Sequence, residues 1–149
     1  MYRNILVAVD GSEHSVKAAR HAGLLAKMVG AKLVLFHVVP HQHTPPYTEG
    51  LAVSAAQPSK EELRRGRETE ARKVLQATRK EIPFAGAVVE EEYAVSNLPY
   101  EAIIETAKQR DCDLIVMAPH GHRGIAGVLL GSETQKVLTH SPLPVLVVR

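Results

Sequence analysis

Hydrophobic residues gather in four short, almost uninterrupted runs: Ile5–Val9, Leu33–Val39, Leu114–Ala118 and Val145–Val148. Runs that are apolar at successive positions, instead of at alternate ones, are typical of strands covered on both faces in a parallel sheet. A fifth candidate strand, Ala87–Val95, contains three consecutive glutamates. Carboxylates inside a strand suit an edge that faces solvent, so we expect this strand at the border of the sheet.

The stretches between the runs carry helix signals. Ser12 is placed to cap a helix that continues to about Met28, and Gly30 follows as a stop. Further helix starts are predicted by the capping-box pairs Ser59–Glu62 and Ser132–Gln135 and by Pro99, where Leu98 is a poor cap that Asn97 would have to replace. Strands that alternate with helices predict an α/β sheet joined by right-handed crossovers.

The segment 114–135 combines three features that favour anion binding. A buried strand ends at Ala118, a glycine-rich loop follows, and a helix opens near Ser132. Glycines let main-chain N–H groups approach a ligand closely, and a helix N-terminus carries about half a positive charge. Together they predict a cradle for an anion, most commonly phosphate. The alternative is a flexible loop that holds no ligand.

Asp10 directly follows the first strand. In open α/β sheets ligands settle beyond the carboxyl ends of the strands, so Asp10 faces the loop 118–132 across a crevice if the first and fourth strands are neighbours. A nucleoside fits there, with its ribose hydroxyls donating to Asp10 and its phosphates in the loop. Two alternatives stay open: Asp10 only starts the turn before the first helix, and Arg123 contacts either phosphate or solvent.

Composition and charge narrow the class of protein. The 149 residues suffice for one domain, residues 1–149, and the formal charge of +2 gives no broad footprint for nucleic acid. No long apolar run or signal sequence is evident, which predicts neither a membrane span nor export. The lone Cys112 suits a reducing cytoplasm, and its neighbours Asp111 and Asp113 are expected to raise the pKa of its thiol.

Templates for catalysis and for metal binding are missing or incomplete. The chain has no Walker-type phosphate loop, no dinucleotide fingerprint after the first strand and no nucleophile elbow. The pairs His41–His43 and His120–His122 lie in predicted loops without an acidic partner at ligand spacing, which favours solvated histidines over a metal site. His37 interrupts an apolar strand, and we expect it to be buried and hydrogen-bonded.

Over essentially its full length the chain resembles the universal stress protein family. Members that bind ATP carry a glycine, two residues, a second glycine, nine residues, a third glycine and then serine or threonine. Here Gly121, nine intervening residues, Gly131 and Ser132 match that spacing. The opening Ile5–Ser12 and the closing Ser141–Val148 are also similar to the family.

The resemblance implies an open five-stranded parallel sheet in the order 3-2-1-4-5, with helices on both faces, Rossmann-like and similar to the adenine nucleotide alpha hydrolases. It also implies ATP as ligand, Mg²⁺ held mainly by phosphate oxygens, and a homodimer whose Val145–Val148 edge strands pair antiparallel. The implied site residues are Asp10 at the ribose, the main chain of Val38 at adenine, Met117 and Ala118 at base and sugar, and Gly121, Gly131, Ser132 and Glu133 at the phosphates, with Ala8, Val9, Arg123 and Thr134 completing the set.

Ala118 stands where the motif has its first glycine. If that position needs a positive φ or a very close ligand, the methyl group lowers stability or affinity, whereas an ordinary strand end tolerates it. Two functions stay open: a nucleotide-binding stress-response module, or a nucleotide-independent dimer that meets an unknown protein partner through the long loop Pro40–Pro58. Since no general base is evident, we expect at most slow ATP hydrolysis.

Overall fold

A computed structural model of the chain describes residues 1–41, 58–82, 88–122, 124 and 129–149. Five parallel strands form one sheet: β1 (Asn4–Ala8), β2 (Lys32–Val39), β3 (Val89–Val95), β4 (Leu114–Met117) and β5 (Val145–Val147). Their spatial order is β3-β2-β1-β4-β5. The expected parallel sheet and its order are confirmed, with strand boundaries that differ from the predicted ones by one or two residues.

Four helices connect the strands: α1 (Glu13–Val29), α2 (Lys60–Lys80), α3 (Pro99–Gln109) and α4 (Ser132–His140). The predicted signals at α1 are confirmed, since the Ser12 hydroxyl accepts from the Ser15 N–H and Gly30 closes the helix with φ 71°. The capping box at the start of α2 is formed reciprocally by Ser59 and Glu62. No helix in the described ranges is long and apolar enough to cross a membrane.

Helices cover both faces of the sheet because successive strand residues point to opposite sides. On one face Ile5 packs with the alanine-rich side of α1 and with Leu75 of α2. On the other face Leu6 packs with Ile103 of α3 and Val137 of α4. Both faces of β1 are therefore buried, which explains why its sequence is apolar at every position from 5 to 7.

The predicted capping box at the start of α4 is wrong. The N-cap is Gly131, in extended backbone with φ −69° and ψ 155°, and no side chain makes a cap hydrogen bond there. Ser132 is consequently the first helical residue, one position too late to act as the cap. The N–H of Gln135 donates to the carbonyl oxygen of Gly131.

The two edge strands have opposite characters. β3 is an edge, as predicted, and its Glu90 and Glu91 are exposed while Glu92 pairs with Arg110 at the end of α3. β5 forms the other edge with three partly buried apolar residues. One border of the sheet is therefore protected by charge, whereas the other offers apolar side chains beside unpaired main-chain groups.

Cys112 gives a pH-dependent contribution to stability whose direction can be tested. Burial, with a smaller effect of Asp113, raises the pKa of this thiol from 9.0 to about 11, which confirms the expected direction. Above about pH 9 the unfolded thiol loses its proton and the folded one keeps it, so unfolding becomes easier until the pH reaches about 11.

We predict that the stability advantage of the wild type over Cys112→Ala shrinks between pH 8 and 11, by on the order of 2 kcal/mol. Urea unfolding of both proteins across this range measures the difference, and titrating groups common to both proteins cancel. A difference that stays constant over the whole range would contradict the shifted thiol.

Candidate functional site

A cavity of about 830 Å³ lies at the carboxyl ends of β1, β2 and β4. This volume falls within the range of roughly 300–1,000 Å³ that is usual for small-molecule sites. From β1 the chain adds β2 and β3 on one side. It then crosses back over the sheet and adds β4 and β5 on the other side of β1. The cavity therefore occupies the position where ligands settle in open α/β sheets.

The predicted site residues converge on this cavity wherever the structure describes them. Arg123 lies outside the described residues, as do residues 42–57 of the predicted loop Pro40–Pro58, His43 among them. The lining includes Ala8, Val9, Asp10, Val38, Met117, Ala118, Gly121, Gly131, Ser132, Glu133 and Thr134. The fold therefore brings these residues together around one cavity.

Asp10 starts the turn before α1 and also contacts the loop after β4. One carboxylate oxygen, Oδ1, accepts from the Ser12 N–H at 2.9 Å and starts the turn into α1. The other, Oδ2, accepts from the His122 N–H at 2.9 Å and so reaches the loop after β4. Burial by itself would raise the pKa of this carboxyl, but hydrogen bonds from Ser12, His122 and Ser15 outweigh burial and lower it. Asp10 is consequently an ionised acceptor with lone pairs to spare.

Gly121 is required by this contact. A Cβ atom at position 121 would lie 2.1 Å from Asp10 Oδ2, far inside van der Waals contact. Gly131 is also tight, since a Cβ there would lie 3.1 Å from the Pro119 carbonyl oxygen and 3.3 Å from His120 Cα. The two motif glycines therefore let the loop pack against the end of β1 and against its own start.

The first turn of α4 lies at the cavity, and no described residue accepts a hydrogen bond from its first main-chain N–H groups. Its N-cap has no side-chain acceptor, and Thr134 uses its hydroxyl to donate to the Ala118 carbonyl oxygen at 3.0 Å. The main-chain N–H groups of the first helical residues have no partner within an α-helix, so they remain available to an anion. Ser132 is exposed at this point and adds a hydroxyl.

Glu133 has a structural role that sequence reasoning missed. Its Oε2 accepts from the Tyr100 N–H of α3 at 2.9 Å, and its Oε1 lies 3.0 Å from Lys136 Nζ. The expected substitute cap Asn97 is not used, because its Oδ1 accepts from the His41 N–H. A carboxylate from α4 thus satisfies a donor in the first turn of α3 and joins the two helix starts beside the cavity.

The apolar end of the cavity is built by β2. Ser96 N–H donates to the Val39 carbonyl, so Val39 faces β3 and the polar main-chain groups of Val38 face the side of β1. Because β1 ends at Ala8, the main-chain groups of Val38 lie beyond the end of that strand and face the cavity. His37 is buried, as predicted, with Nδ1 2.7 Å from the Val9 carbonyl oxygen.

Ala118 occupies an ordinary strand end. Among the described residues Asp111 alone, apart from glycines, has a positive φ, so the backbone at position 118 imposes no demand for glycine. The methyl group is buried and belongs to the core cluster on the α1 side of the sheet. Of the two alternatives for this substitution, the tolerant one is therefore supported by the backbone.

Several cavity residues had no recognisable signal in the sequence: Phe36, Ser96, Asn97, Ile103, His120 and His122. His120 and His122 line the cavity; His122 is exposed to solvent, as predicted, with Nε2 2.9 Å from the Asp10 carbonyl oxygen, whereas His120 is partly buried. No group of three or more His, Cys, Asp or Glu side chains in the described ranges is arranged to hold a metal ion.

Comparison with known proteins agrees with this architecture. The model of the universal stress protein family matches residues 1–149. A universal stress protein of Thermus aquaticus is 34% identical over 149 residues, which cover all of both chains. Another, from Methanocaldococcus jannaschii, is 30% identical over 156 residues that cover 100% of this chain and 96% of the relative.

Solved structures give the same answer. The universal stress protein UspA from Lactobacillus plantarum matches with a TM-score of 0.77 and 27% identity, covering 99% of this chain and 98% of that one. A universal stress protein in complex with cAMP matches with a TM-score of 0.70 and 30% identity, covering 99% and 97%. The chain therefore belongs to the universal stress protein family.

Proposed function

We propose that this protein binds an adenine nucleotide, ATP in particular, in the cavity and acts as a regulatory module of the stress response. The observation that carries the proposal is the pairing, across one cavity, of the uncapped α4 N-terminus with the ionised carboxylate of Asp10. Amide donors at a helix start suit phosphate, and a carboxylate suits ribose hydroxyls. The main chain of Val38, with Met117 and Ala118, then meets the base and sugar.

The related structure with cAMP supports this class of ligand. Its ligand contains adenine, ribose and phosphate, the three chemical parts that the cavity is arranged to meet. The spacing of Gly121, Gly131 and Ser132 supports ATP. The alternative, a dimeric interaction module indifferent to nucleotides, shares this fold and differs only in the outcome of a binding measurement.

Magnesium accompanies ATP through the phosphates in this proposal. The described side chains form no cluster of three ligands for a metal, and Glu133 is occupied by Tyr100 and Lys136. Phosphate oxygens and water would therefore hold the ion, with Mg²⁺ neutralising phosphate charge. We place the protein in the cytoplasm, where nucleotides are available and a lone cysteine stays reduced.

The apolar edge supports a homodimer built on β5. Val148 N–H donates to Met117 O and the Pro144 carbonyl accepts from Ile115 N–H, so residues 144, 146 and 148 face β4. The main-chain groups of Val145 and Val147 consequently face outward. An antiparallel partner β5 would satisfy these groups and cover the apolar side chains.

Gly131→Val tests the phosphate cradle. A β-branched side chain at a position where even a Cβ lies 3.1 Å from Pro119 O must displace the loop, so we predict loss of detectable ATP binding. The matched control is Gly66→Ala in α2, where a Cβ meets nothing within 4 Å. Calorimetric titration with ATP, ADP and AMP, with and without Mg²⁺, measures the affinities. Wild-type affinity in Gly131→Val would contradict the cradle.

Ala118→Gly tests the departure from the motif. The methyl group packs into the core and the backbone is ordinary, so removing it should cost about 1 kcal/mol of stability and keep or improve the ATP affinity. Thermal unfolding and the same titration report the two quantities separately. A large loss of affinity would show that alanine has its own role at the ligand.

Val147→Pro tests the dimer. Proline removes an outward N–H while the β4 pairing of Leu146 and Val148 stays in place, and an edge strand tolerates the residue. Light scattering at micromolar concentration should give a dimer for the wild type and a monomer for the variant, with circular dichroism confirming that both are folded. A monomeric wild type would refute the interface.

A further inference from the structure

The cavity holds few groups that can neutralise phosphate. No lysine or arginine lies among its described lining residues, which include three carboxylates and three imidazoles: Asp10, Glu70 and Glu133, and His37, His120 and His122. Arg123 lies outside the described residues. Among the described lining side chains, the imidazoles are the groups that can add positive charge to the α4 N-terminus when a ligand carries several phosphate charges. The three histidines differ in how many of their ring nitrogens are already hydrogen-bonded to the protein.

His37 is committed to the protein. It is 7% exposed, and its Nδ1 donates to the Val9 carbonyl oxygen at the base end of the cavity. One ring nitrogen of His122 is also in use. Because the Asp10 carbonyl oxygen can only accept a hydrogen bond, His122 donates to it from Nε2–H at 2.9 Å. His120 remains as the imidazole beside the α4 N-terminus with the fewest protein partners.

His120 is held by packing. Its ring meets the ring of His14 from α1 edge-on, with centroids 5.3 Å apart. Gly124 and Gly131 leave room for its backbone and Cβ, since added Cβ atoms would lie 2.9 Å from His120 Cβ and 3.3 Å from His120 Cα. Its Nδ1 is enclosed and makes no hydrogen bond within the described part of the chain, which is unfavourable for a buried polar atom.

Charged and titratable groups from several elements share the surroundings of His120. They are His14 from α1, Asp10 after β1, Glu70 from α2, His122 in the same loop and Glu133 from α4. Of these, the Glu133 carboxylate is already held by Lys136 and the Tyr100 N–H.

We propose that His120 is a specificity-determining residue of the nucleotide site, which reads phosphate charge through its own protonation. In the imidazolium form it attracts a polyphosphate more than a single phosphodiester, so the contribution of His120 to the preference for ATP over cAMP grows as the pH falls. The neutral form leaves the α4 N-terminus and bound Mg²⁺ to compensate for the charge. This inference rests on the proposed nucleotide binding.

His120→Gln separates charge from structure, because glutamine keeps hydrogen-bonding groups and is neutral at every pH. Affinities for ATP and cAMP are measured by calorimetry between pH 5.5 and 8 in EDTA, and each is expressed as the ratio of variant to wild-type Kd. Ionisation of the ligand is common to both proteins and cancels. His120→Asn serves as a second neutral variant, and the exposed His21→Gln on α1 is the matched control.

For ATP the Kd ratio should lie near one at pH 8 and rise to about tenfold at pH 5.5, as expected for a charge pair at a partly buried site. For cAMP the rise should be much smaller, and His21→Gln should stay at one throughout. Ratios that do not change with pH in either neutral variant would overturn the role of His120. A wild type that binds neither nucleotide at any pH would instead overturn the proposed function itself.

Discussion

The site depends on one close approach, between the carboxylate of Asp10 and the main chain at Gly121 and His122. Oδ2 accepts from the His122 N–H, and a Cβ at position 121 would lie 2.1 Å from this oxygen, so glycine permits the contact as it stands. This contact fastens the loop after β4 to the end of β1.

The four helices differ in how the N–H groups of their first turns are satisfied. α1 and α2 are capped by their own serines, and α3 receives the carboxylate of Glu133 from the neighbouring helix. α4 differs from these helices, because it begins at a glycine and no described residue supplies an acceptor for its first N–H groups. The described lining of the cavity beside it contains no lysine or arginine.

Local patterns predicted the features that depend on local physics. Apolar runs marked the strands, and Ser12 and Ser59 marked helix starts, because each of these signals acts within a few residues. The strand order came from resemblance to a family, since periodicity does not say which strands are neighbours. The capping pattern at Ser132 gave a wrong prediction. The serine is expected to be the N-cap, but α4 already begins at Ser132 and the N-cap is Gly131.

Contacts between distant parts of the chain were beyond local reasoning. Glu133 and Tyr100 lie 33 positions apart, and Asp10 and His122 lie 112 apart. The sequence could place Asp10 at a strand end, but only the folded chain shows that it serves both the turn and the loop. Likewise, the alanine at position 118 could be judged only once its backbone and its packing were known.

The central claim is that the main-chain amides opening α4 bind the phosphates of an adenine nucleotide opposite Asp10. Its most direct measurement is an NMR titration of ¹⁵N-labelled protein with ATP, followed at the amides of residues 131–134 and at His122. The account predicts the largest shifts there, with smaller ones at Val38. Shifts confined to other surfaces, or none at saturating nucleotide, would contradict it.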